Sequence, residues 1–224
     1  MTGAPDAVSG AAPPAIEFRN VARLFRGRNG PTGLDGLTLD VPAGVTAALM
    51  GPNGSGKTTA LRIAATLVAP DSGTVKVGGF DCVREARRAR RLVGVSLGGT
   101  RSFYWRITAA HNLSFFAALK GVPSVRAGRI VHALALELGF AGALGVPARG
   151  LSRGMLGRMA VARALIADPY VLLLDEPFAA IDREGRDFVW EALTRRARAG
   201  CAVLLTTHDE GLAGRCDRVA TLSS

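Results

Sequence analysis

Residues 51 to 59 read Gly-Pro-Asn-Gly-Ser-Gly-Lys-Thr-Thr, and residues 170 to 177 read Tyr-Val-Leu-Leu-Leu-Asp-Glu-Pro. In the first stretch Gly51, Gly54 and Gly56, with Lys57 and Thr58, fit the spacing GxxxxGK[ST]. Such a loop turns successive backbone N–H groups toward an anion, and its glycines permit a close approach that a Cβ would block. The flanks suit it. Val45 to Met50 is a short apolar run and predicts a strand. Thr58 to Val68, apolar at Leu61, Ala64, Ala65 and Val68, predicts a helix facing a core. The N-terminus of that helix favours negative charge. Gly51, Pro52, Asn53, Gly54, Ser55, Gly56, Lys57, Thr58 and Thr59 are therefore the expected phosphate-binding set. Lys57 is expected to reach the outer phosphates of a nucleoside triphosphate, and Thr58 to ligate magnesium.

The second stretch complements the first. Val171 to Leu174 is an unbroken apolar run, as a strand buried on both faces requires. Asp175 and Glu176 follow at its C-terminal end, where ligands bind in open α/β sheets. Asp175 is expected to hold magnesium, and Glu176 to polarise an attacking water.

In order and content these motifs resemble the nucleotide-binding subunit of ATP-binding cassette (ABC) transporters, from about Ile16 to Leu222. Leu151-Ser152-Arg153-Gly154-Met155, ahead of Arg158 and the helical run Ala160 to Leu165, is similar to the family's signature sequence. Ala179-Ala180-Ile181-Asp182 resembles its D-loop, and Thr206-Thr207-His208-Asp209 its switch-histidine loop. Phe25 lies where the family stacks an aromatic ring on adenine. The resemblance implies that Ser152 and Gly154 touch a γ-phosphate, that Asp182 belongs to the nucleotide site, and that His208 joins Lys57 and Glu176 in catalysis. It also implies two subunits facing head to tail, each completing the other's ATP site, with Mg²⁺ bound alongside ATP.

Two positions depart from the family's pattern. Arg153 and Met155 stand where glycine and glutamine are usual, although Ser152 and Gly154 remain. The strand predicted over Arg91 to Leu97 is followed by Gly98 where the family carries a glutamine. Coupling to a membrane partner is then expected to run through Thr100-Arg101-Ser102-Phe103-Tyr104-Trp105-Arg106. Three aromatics between two arginines suit an interface, and packing of Phe103 and Trp105 inside a helical subdomain is the alternative.

Bulk properties agree. A chain of 224 residues can build one α/β domain with a substantial core. Alternating strand and helix patterns predict a P-loop NTPase core with a mostly parallel sheet. A small antiparallel layer over Ile16 to Leu39 is expected to present Phe25, and a helical subdomain is expected over about 99–167, within an ATPase domain at 15–224. The helices predicted there cover Ala109 to Leu119, Val125 to Leu138 and Met155 to Ala167. A strand is predicted over Thr74 to Val77. Met1 to Pro14 lacks the charged and apolar segments of a signal peptide and is expected to be a disordered tail. No apolar run approaches the ~20 residues that cross a bilayer. Cys82, Cys201 and Cys216 have no metal-ligand spacing and fit a reducing compartment. The net charge of +10 comes almost wholly from arginine, with lysine only at 57, 76 and 120. The run Arg84 to Arg91 has nearly helical period and reads as a solvated helix face, with contact to lipid headgroups or to a basic-tolerant partner as the alternative; no specific nucleic acid partner is expected. The family resemblance implies an ATP-hydrolysing subunit powering transport through a separate integral membrane permease at the cytoplasmic face of the plasma membrane, and the Arg-Gly-Met signature, similar to that of exporters, implies the export direction. The alternatives are a soluble ABC ATPase acting on ribosomes or DNA, and a regulatory cassette with weak hydrolysis.

Overall fold

The computed structural model describes residues 13–27, 30–97 and 103–223. Gly98, Thr100, Arg101, Ser102 and most of the expected N-terminal tail lie outside the described residues. Two sheets organise the chain. Strand β1 (Ile16–Gly27) pairs antiparallel with β2 (Gly30–Val41) and with β4 (Ser72–Val77), and β5 (Phe80–Asp81) completes that sheet. The second sheet is parallel throughout, in the order β6 (Val93–Ser96), β7 (Val171–Asp175), β8 (Ala202–Thr206), β3 (Thr46–Met50), β9 (Arg218–Thr221).

The apolar runs of β3, β7 and β8 feed two cores because successive side chains on a strand point to opposite faces. Ala47, Leu49, Val171, Leu173, Ala202 and Leu204 join the core shared with the antiparallel sheet and with α1 (Lys57–Ala64). Ala48, Leu172, Leu174, Val203 and Leu205 join the other. That second core also takes the inner faces of α3 (Ala109–Leu119), α4 (Ser124–Glu137), α5 (Arg153–Leu165) and α6 (Arg183–Arg198). Each fully buried leucine here contributes roughly 1.5–3 kcal/mol, so the sheet centre is the most rigid platform available to a site at its edge. Between residues 103 and 167 the described structure is helical, with no strand.

Two elements differ from expectation in their bounds. Helix α1 stops at Ala64 rather than Val68, because Thr66 adopts φ +60°, a left-handed conformation that ends the helical path. Strand β4 starts at Ser72 rather than Thr74, and it pairs antiparallel with β1. The arginine run 84–91 forms a helix with its arginines exposed, as its period leads one to expect, the short α2 (Ala86–Arg91). Its Ala89 is buried, Arg88 pairs with Glu85 at 3.0 Å, and Arg90 Nε donates to Thr66 Oγ1 at 2.8 Å. The three cysteines are free thiols, and burial pushes Cys82 and Cys201 up to about 12 and Cys216 to about 11, which keeps them unreactive at neutral pH.

Candidate active site

The loop between β3 and α1 is shaped by neighbours on both sides. Gly56 has φ +94°, and a Cβ there would lie 2.6 Å from Leu34 Cα and 2.7 Å from Gly33 O of β2. At Gly51, φ is +146° and a Cβ would sit 2.7 Å from Ser55 Oγ. Both positions require glycine for conformation and for space together. Lys57 opens α1, and its Nζ donates to Gly51 O at 2.7 Å and to Pro52 O at 2.9 Å. The ammonium is thereby held across the loop, largely buried. Ser55 Oγ is buried without a hydrogen-bond partner. An orphaned hydroxyl and a lysine inside a ring of glycine backbone fit a phosphate chain, which would supply the acceptor oxygens the loop lacks.

The carboxylates arrive from β7. Asp175 ends that strand, and its two oxygens are tied separately: Thr58 Oγ1 donates to Oδ2 at 2.9 Å, and Thr206 Oγ1 to Oδ1 at 2.6 Å. Thr58 and Asp175 thus place two oxygen ligands side by side. No group of three or more His, Cys, Asp or Glu suited to a metal occurs among the described residues. The donor set suits magnesium, which binds through one or two protein oxygens and takes its remaining ligands from water and substrate phosphates.

Glu176 follows in the left-handed region, at φ +47°. A non-glycine residue there costs of order 1 kcal/mol or more and persists because its surroundings impose it. The restraint is visible: Glu176 N–H donates to Thr206 Oγ1 at 3.0 Å, and its Oε1 lies 3.1 Å from His208 Nδ1. His208 is largely exposed and extends from the loop after β8. Thr206, fully buried at the end of β8, therefore ties the Asp175 carboxylate and the Glu176 backbone together. It was expected only as part of a loop motif, since a threonine closing an apolar strand carries no local mark of such a role. Thr206→Val keeps the shape and deletes both hydrogen bonds. The expected result is a roughly 10–100-fold lower turnover, measured with nucleotide affinity as the control.

Phe25 reaches the same place from the antiparallel sheet. A cavity of about 300 Å³ is lined by Phe25, Thr32, Gly33, Asn53, Gly54, Gly56, Lys57, Thr58, Thr59, Asp175 and Glu176. The Arg23 guanidinium lies over the Phe25 ring, 5.2 Å from its centre, while Asp71 anchors that arginine by an ion pair. A second cavity of about 630 Å³ adjoins the first, sharing Thr32, Gly33, Asn53 and Gly54 and reaching Ser55 and Thr221–Ser223.

Two expected site residues stand apart as helix caps. Ser152 caps α5, its Oγ accepting from Met155 N at 3.1 Å, and Asp182 caps α6, its Oδ1 accepting from Gly185 N at 3.0 Å. None of Ser152, Gly154 and Asp182 lines the cavity that holds Lys57. Leu151 and Met155 instead border a separate hollow with Phe140 and Val146. The orientation of α5 is set by Arg158, whose buried guanidinium donates to Leu138 O at 3.2 Å and Gly139 O at 2.8 Å.

The aromatic segment divides by residue. Phe103 is 4% exposed and packs edge-on against Phe116, with the Arg163 guanidinium 5.1 Å from each ring centre. Tyr104 and Trp105 face outward, and the Tyr104 ring meets the exposed Phe115 edge-on at 5.2 Å. Their backbone is pinned by the fully buried Asn112: its Oδ1 accepts from Tyr104 N, and its Nδ2 donates to the carbonyls of Tyr104, Ile107 and Thr108.

A family model described as "ABC transporter" matches residues 34–179. The chain is 35% identical over 209 residues to the daunorubicin/doxorubicin resistance ATP-binding protein DrrA of Streptomyces peucetius, covering 93% of this chain and 62% of that one. It is 36% identical over 194 residues to the Nod factor export ATP-binding protein I of Ralstonia nicotianae, covering 86% and 60%. The chain thus spans about three-fifths of the length of these two relatives. To the ABC transporter ATP-binding protein NatA of Bacillus subtilis it is 32% identical, covering 84% of this chain and 77% of NatA. Among solved structures, the dimeric bacterial ABC transporter cassette MJ0796 superposes with a TM-score of 0.83 at 25% identity, covering 93% and 94%.

Proposed function

This chain belongs to the ABC transporter family, and on that footing we propose that it binds and hydrolyses ATP to drive export through a separate membrane-spanning permease. One observation carries the reading. A single cavity gathers Phe25, Lys57, Thr58, Asp175 and Glu176, while Ser152 and Gly154 lie outside it. The cradle and the carboxylates form one half of a site, and a second cassette would bring the other half.

The chemistry follows from these positions. Phe25 receives the base, and the loop N–H groups with Lys57 hold the phosphates. Thr58 and Asp175 would hold magnesium, which supplies charge neutralisation on the phosphoryl oxygens when bound. A water oxygen attacks the γ-phosphorus in line as the bond to the β-phosphate oxygen breaks, giving ADP and phosphate. Glu176 takes the water's proton, its carboxylate oriented by His208. The Ser152 hydroxyl and the N-terminus of α5 from the second cassette add donors on the far side of the γ-phosphate. Preorganised donors of this kind are usually the largest contribution to such a reaction. Loss of the γ-phosphate removes what both cassettes share, and the pair opens.

The export direction is supported by what the relatives are called, drug resistance and Nod factor export proteins. No helix among the described residues is long and apolar enough to cross a membrane; in this reading a permease supplies the path for the cargo. Tyr104, Trp105 and Phe115 form the surface proposed to dock it, on a base fixed by Asn112. Fractionation tests both claims. The protein is expected to sediment with membranes and to co-purify with a permease after detergent extraction. Tyr104→Ala with Trp105→Ala is expected to release it while its melting temperature stays within a few degrees. Unchanged assembly with collapsed stability would assign the aromatics to packing, and release by nuclease instead of detergent would favour a nucleic-acid ATPase.

A further inference from the structure

The positive charge is unevenly distributed. Residues 103–167 carry eight Lys or Arg against a single carboxylate, Glu137, a net +7 of the chain's +10. That carboxylate is turned inward, where it binds Arg196 at 3.0 Å and Arg195 at 3.5 Å. Helix α4 consequently shows no negative charge on its outer face. Four of its residues, Ala127, Val131, Leu134 and Ala135, enter the core. The opposite face exposes Arg126, Arg129 and His132 beside Val125, which is 80% exposed, and Leu136. Leu119, at the end of the neighbouring α3, is 67% exposed.

Among the described residues several arginines elsewhere in the fold are paired with carboxylates, Arg19 with Asp40, Arg23 with Asp71, Arg186 with Asp209 and Arg215 with Asp187, while others, Arg87 and Arg91 of α2 among them, are not. Arg126 and Arg129 have no such partner among the described residues. They line, with Ile130 and Ala133, a shallow hollow of about 490 Å³. Two free guanidiniums on the wall of a hollow with an apolar floor match the chemistry of an anionic phospholipid: phosphate between the arginines, glycerol and upper acyl carbons on Ile130, Ala133 and the exposed aliphatics. An acidic protein segment would satisfy the charges, but would leave Val125 and Leu136 without a reason to be exposed.

We propose that the outer face of α4 is a contact for anionic lipid headgroups. It rests on the reading of this chain as a permease-bound subunit, which keeps the Tyr104–Trp105–Phe115 surface near the bilayer, together with α3, which carries Phe115 and packs against α4. The contact would add membrane affinity to that supplied by the permease. Each arginine close to an anionic surface is worth roughly fivefold in partitioning.

Vesicle flotation of the purified full chain, without permease or nucleotide, tests this separately from ATPase function. The protein is expected to float with vesicles of phosphatidylcholine and phosphatidylglycerol in equal parts, and not with phosphatidylcholine alone. Arg126→Ala with Arg129→Ala, both exposed helix positions, should lower that partitioning at least tenfold, and added salt should do the same. Arg87→Ala with Arg91→Ala on α2, an equal loss of charge, should leave it within twofold. Equal binding to both vesicle types overturns the proposal, as does greater sensitivity to the α2 changes. So does an α4 variant that floats normally yet loses permease co-purification, which would assign the face to a protein segment.

Discussion

Glu176→Gln is expected to lower ATP turnover by about 10²–10⁴-fold and to accumulate an ATP-bound pair of cassettes. Glutamine is nearly isosteric, and its carbonyl oxygen can still meet His208 Nδ1 where Glu176 Oε1 lies 3.1 Å away. The backbone N–H of residue 176 can still donate to Thr206 Oγ1, so the left-handed geometry survives. Only the capacity to accept a proton is lost. Binding is untouched because Lys57, Thr58 and Asp175 remain, and the γ-phosphate stays in place between the two cassettes. Light scattering with ATP and magnesium should show a dimer for the variant and mostly monomer for the parent. A variant that stays monomeric with unchanged turnover would remove Glu176 from the chemistry.

Gly56→Ala is expected to abolish nucleotide binding and to lower stability by several kcal/mol. Two costs coincide at this residue. Its φ of +94° is left-handed backbone that L-residues rarely adopt, and the new methyl would stand 2.6 Å from Leu34 Cα and 2.7 Å from Gly33 O. Those atoms are backbone of β2, inside a strand hydrogen-bonded to β1, so they cannot rotate away. Relief must come from the loop itself, which would lift Lys57 and Thr58 off their present partners. Urea unfolding and nucleotide binding, measured on the same preparation, separate the two effects. Normal affinity with full stability would mean that the loop is far softer than its packing implies.

Much of this was legible in residues that act locally. The glycine spacing fixes the cradle, and the apolar runs ending in Asp175 and Thr206 fix β7 and β8, because a strand buried on both faces leaves little else for Val-Leu-Leu-Leu to do. What was not legible depends on partners distant in sequence. Thr74 to Val77 reads as a strand, but its pairing with β1 follows from the β1–β4 register. Arg158 reads as one more charge on a helix, yet it is buried because the carbonyls of Leu138 and Gly139 meet it there. The early end of α1 has no glycine to announce it, only Thr66 in an uncommon conformation. The segment Phe103 to Trp105 admitted an interior and an interface reading, and burial divides it, Phe103 inward and its two neighbours outward.

In the proposed reaction the loop from Gly51 to Thr59 clamps the phosphates of ATP through Lys57. Retention of labelled ATP by the purified protein, compared with Lys57→Ala, tests it most directly. The parent should hold the nucleotide in the presence of magnesium, and the variant should lose it, since the loop's one cation would be gone. Equal retention by both proteins, or none by the parent, would contradict it.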